Sequence, residues 1–532
     1  MVEPMSTNTG RWPTVPALII SAAERFGDVT AIVDGDKTLT FGELVEAAEI
    51  FGAALCARIE PGDRVGIWAP NCVEWVIAFL GLSQAGAVLI PISTRFEAHE
   101  ASHLLSKGKV RALVTVTEFL GKDYVQRLGD RSHLPDLSTI IVAHGDVPEG
   151  ALGWAEFVAD VTPDLRSELR RRRETVRSDD PSDILFTSGT TGTPKGVVMS
   201  QSATLRVATD WVDMVGLRFG DRYLMLNPYF HMFGLKSGIL ASLSVGATMY
   251  PEPVFNVQRI LERVQSEQIT ALPATPTVYQ SILDYPDRDK YDISTLRFAV
   301  TGGADIPAEL IRRMSEELHF ETIVSGYGLT EGGTASSTVS GDSLEVIAHT
   351  NGWARPSYEI RIADFSGVDV PAGQSGEVLI RGGSIMSHYL DDPKSTAEVL
   401  SPDGWLRTGD LGRFDESGRL LIVGRLKDMF IVGGFNAYPA EIENALLRHP
   451  DILQAAVIGI PDHRLGEVGA AFVILRKGAT TTSDEIISWC RHEMANFKAP
   501  RVVEIVETLP LNASGKVLKH VLRASLATES SN

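Results

Sequence analysis

Cysteine is scarce in this chain of 532 residues, which has only Cys56, Cys72 and Cys490. The three lie far apart and form no CxxC pair, so the sequence predicts a reduced protein without a disulfide framework or a zinc site. An excess of positive charge is also missing, because 49 Lys and Arg face 68 Asp and Glu for a net charge of −19. This balance argues against a broad surface for nucleic acid or anionic membranes, although a narrow cleft could still bind a small anion.

A long uninterrupted apolar run is absent as well. The most apolar stretch, residues 75–92, contains Ser83 and Gln84 and is broken by Gly86 and Pro91. We expect a buried helix followed by a buried strand there, and no membrane span. The first residues lack the basic and apolar regions of a signal peptide, and the last ones lack a lipidation signal. The expected location is therefore the cytoplasm.

The composition itself is that of an ordinary globular protein, with 44% hydrophobic and 22% charged residues. The length corresponds to roughly three or four domain-sized units. In the first part of the chain helical segments alternate with strand-like runs at 63–71, 87–93, 111–116 and 137–143. This alternation predicts a parallel, doubly wound sheet. Four consecutive arginines at 170–173 are interpreted as part of a solvated helix or linker, with a partner-binding patch as the less favoured alternative.

Two further regions follow the first sheet. A second α/β region from residue 184 to about 340 has strand-like runs at 222–228, 247–251, 269–274, 297–303 and 322–328. From about residue 350, short strands separated by turns predict a β-rich subdomain, and a compact α+β pattern follows Arg425. We therefore predict an α/β protein with two doubly wound sheet subdomains, a β-rich subdomain, and a boundary at 424–428 before the last unit.

The segment ILFTSGTTGTPKG (184–196) has the composition of a phosphate-binding loop. It does not match the Walker A pattern GxxxxGK[ST], because its glycines are spaced differently and Gly196 follows Lys195. Successive backbone N–H groups in such a loop still form a concave site for an anion. The side chains that can add hydrogen bonds or charge are Thr187, Ser188, Thr190, Thr191 and Lys195. On composition alone, a merely flexible turn remains the alternative.

Five further motifs follow this loop in order. They are YGLTE (327–331), WLRTGD (405–410), GRLKD (424–428), GGFNAYPAEIE (433–443) and LPLNASGKVLK (509–519). Together with TSGTTGTPKG, they resemble the adenylate-forming superfamily, which includes acyl-CoA and aryl-CoA synthetases, luciferases and nonribosomal adenylation domains. The resemblance covers nearly the whole chain. It implies a large N-terminal AMP-binding domain (1–424), a hinge (425–428) and a small, mobile C-terminal domain (429–532).

The resemblance also implies a nucleotide site. It makes Glu331 the carboxylate associated with Mg²⁺, Asp410 the acceptor for both ribose hydroxyls, and Tyr327 a neighbour of the adenine. On the residue alone, Glu331 would be read as an ordinary surface carboxylate. The implied nucleotide-binding residues are Thr187, Ser188, Gly189, Thr190, Thr191, Lys195, Gly303, Ala304, Tyr327, Gly328, Thr330, Glu331, Asp410, Ile422, Arg425 and Lys516.

The implied reaction has two halves. A carboxylate attacks the α-phosphate of ATP to give an acyl-adenylate and pyrophosphate, and the thiol of CoA then displaces AMP. Lys516 would stabilise the charge that builds up in the first half. Rotation at the hinge residue Lys427 would then bring Gly433 and Gly434 to line the CoA channel. The implied catalytic residues are Lys516, His231, Thr191 and Glu331, and the implied cofactors are ATP, Mg²⁺ and CoA.

The motif NPYFHMFGLKSG (227–238) corresponds to the pocket and gate of this superfamily. His231 resembles the gating histidine, although a buried, hydrogen-bonded histidine would be the default for the residue alone. Lys236 could face a distal carbonyl or hydroxyl of the substrate, and a lysine that reaches from a helix to solvent is the favoured alternative. The implied pocket residues are Tyr229, Phe230, His231, Phe233, Gly234 and Lys236.

The acid itself is indicated only by local similarity. The strings at 221–248, 296–307 and 426–443, with Phe435-Asn436 after the paired glycines, resemble actinobacterial CoA ligases that activate the propionate side chain of the steroid CD-ring remnant. A medium-chain fatty acid or aryl acid ligase is the alternative, and a non-catalytic adenylate-binding relative is a distant third. The expected partners are a small carboxylic acid, ATP and CoA, with no nucleic acid, and a homodimer is the one protein assembly considered.

Overall fold

The computed structural model describes residues 12–129, 131–187, 194–302, 308–364, 366–511 and 517–529. Within these ranges no helix combines the length and apolarity needed to cross a membrane. Residues 188–193, 303–307 and 512–516 carry several of the predicted site residues and lie outside the described part.

Helices and strands alternate along the first part of the chain. In chain order they are α1 (Val15–Phe26), β1 (Thr30–Asp34), β2 (Lys37–Thr40), α2 (Phe41–Cys56), β3 (Arg64–Trp68), α3 (Val73–Gln84), β4 (Val88–Pro91), α4 (Ala98–Lys107), β5 (Val110–Val116), α5 (Tyr124–Leu128), β6 (Thr139–His144), β7 (Leu152–Gly153), α6 (Trp154–Ala159), α7 (Pro163–Thr175), β8 (Pro181–Thr187) and β9 (Lys195–Ser200).

The middle part continues this alternation. It contains α8 (Gln201–Val215), β10 (Arg222–Met225), a π-helix (Phe233–Leu240), α9 (Ala241–Val245), β11 (Thr248–Pro251), α10 (Val257–Ser266), α11 (Pro276–Leu283), a 3₁₀ helix (Arg288–Lys290), β12 (Phe298–Gly302), α12 (Ala308–Glu317), β13 (Thr322–Leu329), β14 (Gly333–Ser337), α13 (Leu344–His349) and β15 (Trp353–Ala354).

The last part is richer in strands. It contains β16 (Tyr358–Ala363), β17 (Gly376–Gly382), β18 (His388–Tyr389), α14 (Pro393–Val399), β19 (Leu406–Phe414), β20 (Leu420–Arg425), β21 (Phe430–Val432), β22 (Phe435–Ala437), α15 (Pro439–Leu446), β23 (Ile452–Asp462), β24 (Gly466–Leu475), α16 (Ser483–Glu493), β25 (Val502–Ile505) and α17 (Lys519–Glu529).

The first sheet has eight strands in the order β18-β9-β8-β4-β3-β5-β6-β7. The pairs from β8 to β7 are parallel, and β9 pairs antiparallel with both β8 and β18. The apolar stretch predicted as a buried helix and strand forms α3 and β4, and every residue of both is buried. Helix α3 is mostly apolar around its circumference, as expected for a helix that protein covers on all sides, and its polar residues Glu74, Ser83 and Gln84 are buried as well.

The second sheet draws on strands from both ends of the large domain. Its order is β2-β1-β11-β10, and a single bridging residue, Ala271, joins Tyr223 of β10 to Phe298 of the run β12-β13-β14-β15. The strand predicted at 269–274 is therefore wrong, because only Ala271 pairs and Pro273 has no N–H to donate. Strands β1 and β2 also belong to this sheet rather than the first, since Ile32 pairs with Met249.

The arginine run lies in α7, as a helix, but it is not fully solvated. Arg172 is only 5% exposed, and its guanidinium donates to the carbonyl of Ile59 at 2.7 Å and to Glu168 at 2.6 Å. Arg171 stays at the surface, where it pairs with Glu168. The helix was predicted correctly, whereas the burial of one of its arginines was not.

The remaining strands form two smaller sheets. Strands β16-β17-β19-β20 make an antiparallel sheet, as predicted for the β-rich subdomain. The last unit is the sheet β22-β21-β24-β23 with β25 beside β24, and its apolar core around Phe430, Ile442 and Cys490 is built from residues after 428. The whole is the α/β architecture that the sequence predicts, with a large N-terminal and a small C-terminal part.

Candidate active site

The phosphate-loop segment is held by the hairpin of β8 and β9. Thr187, the last residue of β8, pairs with Lys195, the first of β9. Lys107 of α4 donates to the carbonyl of Pro194 at 2.7 Å and so fixes the point where the chain enters β9. The predicted phosphate ligands Ser188, Gly189, Thr190 and Thr191 lie outside the described residues.

Glu331 lies close to this hairpin, through a residue that the sequence analysis missed. Tyr389 of β18 donates its hydroxyl to Oε1 of Glu331 at 3.0 Å, and Nζ of Lys195 is 4.9 Å from the centre of the Tyr389 ring. Burial raises the pKa of the Tyr389 phenol, and the Glu331 carboxylate raises it further, so the hydroxyl remains a donor. Tyr389 therefore connects the predicted metal carboxylate with the predicted phosphate lysine.

The carboxylate of Glu331 is a suitable ligand for Mg²⁺. Among the described residues only Tyr389 donates to its side chain, and it uses Oε1 alone. As far as the described residues go, Oε2 is available to a hard cation, and Mg²⁺ is commonly held by one or two carboxylates together with substrate phosphates.

Gly328 of the same motif is required by close packing between strands. A Cβ at this position would lie 2.3 Å from the carbonyl oxygen of Gly333 on β14. The pairing of β13 and β14 shifts register between Tyr327 and Gly328. Any side chain at 328 would therefore push apart the strands that position Tyr327 and Glu331.

Asp410 forms the second half of the candidate nucleotide site. It is 6% exposed and lies opposite Arg425 in the β19–β20 pair. Nε of Arg425 is 3.2 Å from Oδ1, and the hydroxyl of Tyr327 donates to Oδ2 at 2.7 Å.

Ile422 lies on the same strand as Arg425, and its N–H donates to Oδ1 of Asn351 at 2.9 Å. Asp410, Arg425 and Ile422 therefore lie on the paired strands β19 and β20, and Tyr327 reaches Asp410 from β13 of another sheet. Gly303, Ala304 and Lys516 are outside the described residues.

The gate motif is anchored by Asn71, a second residue that the sequence analysis missed. Its amide donates to the carbonyls of Met225 at 2.9 Å and Asn227 at 3.0 Å, and its oxygen accepts from the N–H of Tyr229 at 2.9 Å. Gly234 is equally fixed, because a Cβ there would lie 2.2 Å from the carbonyl oxygen of Pro228. The loop that carries His231 thus has a defined path.

The predicted pocket residues differ in exposure. His231 is exposed, so the alternative of a buried histidine is wrong, and its Nδ1 accepts from the N–H of Phe233 at 3.2 Å. In the neutral ring this bond leaves the proton on Nε2.

Phe230 and Phe233 are partly buried, and Phe233 packs edge-on against Trp211 at 4.7 Å. Tyr229 is fully buried against Trp75, which makes it a support of the loop.

Lys236 is placed differently from both sequence interpretations. It is 0% exposed, so it does not reach solvent, and its Nζ is 2.9 Å from Oδ1 of Asp183, which is also fully buried. Burial lowers the pKa of Lys236, and the charge and hydrogen bond of Asp183 oppose that shift. Its ammonium is therefore committed to a protein carboxylate, which corrects the prediction that it faces the substrate.

Lys427 and the paired glycines lie in the C-terminal part. Lys427 is exposed, between Arg425 and Asp428. Gly433 and Gly434 connect β21 to β22 with positive φ angles of 59° and 90°, and both are exposed. The next residue, Phe435, is 60% exposed and stacks on Phe497 with ring centres 5.1 Å apart.

One group of metal-donor side chains lies where α3 begins, directly after Asn71 in the chain, and includes His144 at the end of β6. Ligand atoms of Cys72, Glu74 and His144 are within 4.8 Å of one another. Glu74 already accepts from Lys37 through one oxygen and lies 2.7 Å from Nε2 of His144 through the other. The group is explained as a buried carboxylate with two basic partners, without a metal.

Two protein-family models and solved structures match this chain. The family model described as AMP-binding enzyme matches residues 20–390, and the model of the AMP-binding enzyme C-terminal domain matches residues 441–516. A crystal structure of the anthranilate CoA ligase AuaEII with anthranoyl-AMP is similar with a TM-score of 0.85 and 28% identity, and the match covers 99% of this chain and 100% of that one.

Two curated relatives are similar over nearly their full length. The 3-[(3aS,4S,7aS)-7a-methyl-1,5-dioxo-octahydro-1H-inden-4-yl]propanoyl:CoA ligase of Rhodococcus jostii (strain RHA1) is 45% identical, with 96% of this chain and 98% of the relative covered. The ligase of the same name from Mycobacterium tuberculosis (strain ATCC 25618 / H37Rv) is 43% identical, also with 96% and 98% covered.

Proposed function

The chain belongs to the family of AMP-binding enzymes and is an acyl-CoA ligase that uses ATP and CoA, and we propose that its acid substrate is a bicyclic ring propionate derived from a steroid. The observation that carries this proposal is the similarity, over 96% of the chain, to two enzymes named for the CoA ligation of such a propionate. The proposed reaction converts the acid, ATP and CoA into acyl-CoA, AMP and pyrophosphate.

In the proposed first half-reaction, residues from both parts of the chain bind and orient ATP. Asp410, held by Tyr327 and Arg425, accepts the ribose hydroxyls. Lys195 neutralises charge on the departing pyrophosphate. Glu331, oriented by Tyr389, holds Mg²⁺, which would shield the phosphate charge. Lys516 bridges the carboxylate and the α-phosphate where negative charge builds up.

In the proposed second half-reaction, the small domain (429–532) rotates about Lys427. Lys516 leaves the site, and the loop of Gly433 and Gly434 replaces it. The exposed turn of these two glycines supports this role, because a backbone without side chains can border a narrow channel for the pantetheine chain. The thiol of CoA then attacks the carbonyl carbon of the acyl-adenylate, and AMP leaves.

The proposed acid-binding pocket lies beside His231. Phe230, Phe233 and Gly234 provide apolar or small walls on a loop that Asn71 fixes. No acidic residue is present in residues 227–238 to bind an amine, so a carboxylic acid with an apolar body fits better than an amino acid. A medium-chain fatty acid or an aryl acid remains the competing substrate.

A pyrophosphate-release assay with a panel of acids tests the substrate. The panel contains the 7a-methyl-1,5-dioxo-octahydroindenyl propionate, octanoate and benzoate, each with ATP, Mg²⁺ and CoA. We expect the ring propionate to have the highest kcat/KM, and mass spectrometry should identify its CoA thioester. An Asp410→Ala variant gives the background rate. High turnover of octanoate or benzoate without activity on the ring propionate would refute the assignment.

We also propose a homodimer in the cytoplasm, where ATP and CoA are both present. Light scattering coupled to size-exclusion chromatography measures the mass, for which the chain contributes 57.7 kDa per copy. Fractionation of cells tests the location. A monomeric mass, or recovery with the membrane fraction, would contradict these two proposals.

A further inference from the structure

A buried ion pair lies behind the candidate active site, and the mechanism above does not use it. Asp183 and Lys236 are both fully buried, with Nζ of Lys236 2.9 Å from Oδ1 of Asp183. The other oxygen, Oδ2, accepts a hydrogen bond from the hydroxyl of Thr204 at 2.6 Å. The carboxylate therefore has a neighbour on each oxygen, and within the described part of the chain it is the acidic partner of the Lys236 ammonium.

The three residues come from three different elements. Asp183 is in β8, the strand whose last residue, Thr187, leads into the phosphate loop. Lys236 is in the π-helix Phe233–Leu240, which begins two residues after His231. Thr204 is in α8. A π-helix is rare and is frequently found at functional sites. The ion pair thus connects the strand of the phosphate loop directly to the segment of the acid gate.

Stability alone does not account for such a pair. Removing two charges from water costs several kcal/mol for each ion, and replacing a buried pair by apolar side chains of similar volume is often neutral or stabilising. A buried pair can, however, hold two elements together, because separating them would leave both charges buried without a partner.

We propose that Asp183 and Lys236 are positioning residues, which hold the gate segment at a fixed distance from the phosphate loop. The carboxylate of the acid and the α-phosphate of ATP then meet in the reacting geometry. This inference depends on the proposed function, in which the acid binds beside His231 and ATP beside the loop. Neither side chain touches a substrate, and the pair acts through the backbone of β8 and of the π-helix.

Both ends of the ion pair are closely packed. A movement of Asp183 or Lys236 would therefore also move the gate segment relative to the phosphate loop. On the gate side, Gly234 leaves no room for movement against Pro228, and Asn71 holds the preceding loop. On the phosphate side, the pairing of Thr187 with Lys195 continues the register of β8. A misplacement of about 1 Å between reacting groups can cost roughly 100-fold in rate, so small movements matter.

The test compares two single variants with a double variant. Lys236→Met and Asp183→Asn each leave one buried polar partner, and we expect both to lower the unfolding temperature. The double variant Asp183→Leu/Lys236→Met removes both charges and should regain most of that loss. Its rate of adenylate formation should nevertheless stay at least ~10-fold below that of the unaltered enzyme, with KM for acid and ATP changed by less than ~3-fold. Thioester formation from supplied acyl-adenylate should change by less than ~2-fold, because no phosphoryl transfer is involved.

A double variant that regains both stability and the adenylation rate would overturn the proposal, and so would an equal loss in both half-reactions. If the double variant does not fold, Thr204→Val decides the question, measured well below its unfolding temperature. A ~2–5-fold slower adenylation at normal KM supports the proposal, and a normal rate overturns it. Every rate is measured with the acid of highest turnover in the panel, so an error in the steroid assignment does not affect the outcome.

Discussion

The hydroxyl of Tyr327 donates a hydrogen bond of 2.7 Å to Oδ2 of Asp410, in a pocket where Arg425 approaches the other oxygen to 3.2 Å. The carboxylate is therefore oriented from both sides. A carboxylate oxygen can accept two hydrogen bonds, so each oxygen of Asp410 can still take one ribose hydroxyl. Tyr327 and Arg425 thus fix the acceptor that the nucleotide would use.

Variants at these two residues should affect nucleotide binding to different extents. Tyr327→Phe removes one hydrogen bond to an ionised acceptor, and we expect KM for ATP to rise about 3–10-fold. Asp410→Asn removes the charge and one acceptor for the diol, and the rise should exceed about 30-fold. Steady-state kinetics at saturating acid measures both. An Asp410→Asn enzyme with an ordinary KM for ATP would show that the ribose binds elsewhere.

Glu331 should determine the magnesium requirement. In Glu331→Gln a neutral amide replaces the carboxylate, so we expect half-maximal adenylation to need at least ~10-fold more Mg²⁺. Tyr389→Phe keeps the charge and loses only the orienting hydrogen bond at 3.0 Å, so its shift should be smaller, about 2–5-fold. Pyrophosphate release is measured across a Mg²⁺ titration. Identical curves for the unaltered enzyme and Glu331→Gln would remove the metal role from Glu331.

Lys516→Ala should separate the two half-reactions. The lysine charge is needed where the α-phosphate acquires a fifth ligand, so adenylate formation should fall by at least ~1000-fold. Thioester formation from supplied acyl-adenylate and CoA should remain within about 3-fold, because Lys516 has then left the site. Single-turnover assays of each half measure this. Equal losses in both halves would contradict a rotating C-terminal domain.

The sequence predicted local elements and chemistry well, but not the contacts between distant residues. Strands such as β3 and β5 are short, mainly apolar segments, which the local sequence pattern reveals. Membership of a sheet depends on distant partners, so the pairing of Ile32 with Met249 was not foreseen. Tyr389 and Asn71 carried no motif signal, because their importance lies in contacts with residues far away in the chain.

Lys236 is another residue whose contact with a distant part of the chain could not be predicted from the sequence. Its place in the gate motif suggested a contact with substrate or solvent, but its actual partner, Asp183, lies in a strand 53 positions earlier in the chain. A buried lysine requires such a partner, and a sequence pattern does not say which carboxylate provides it.

The last prediction concerns stability and the buried carboxylate of Glu74. Burial raises its pKa, but hydrogen bonds from His144 and Lys37 outweigh that effect and lower the pKa from 4.5 to about 2. A carboxylate with a lowered pKa in the folded state stabilises the fold above its unfolded pKa, and this contribution is lost as the pH falls towards the folded value. At pH 7, Glu74→Gln should therefore be less stable by on the order of 2 kcal/mol.

The pH dependence distinguishes this effect from a simple packing defect. The difference between Glu74→Gln and the unaltered protein should shrink as the pH falls from about 4.5 towards 2, because the unfolded chain then takes up a proton at Glu74 that the native carboxylate does not yet bind. Urea unfolding at pH values from 7 to about 3 measures the difference. Glu46→Gln is the matched control, since Glu46 pairs with Arg166 at the surface, where such pairs contribute at most about 1 kcal/mol. A difference that stays constant across this range would mean that the carboxylate charge of Glu74 does not stabilise the fold.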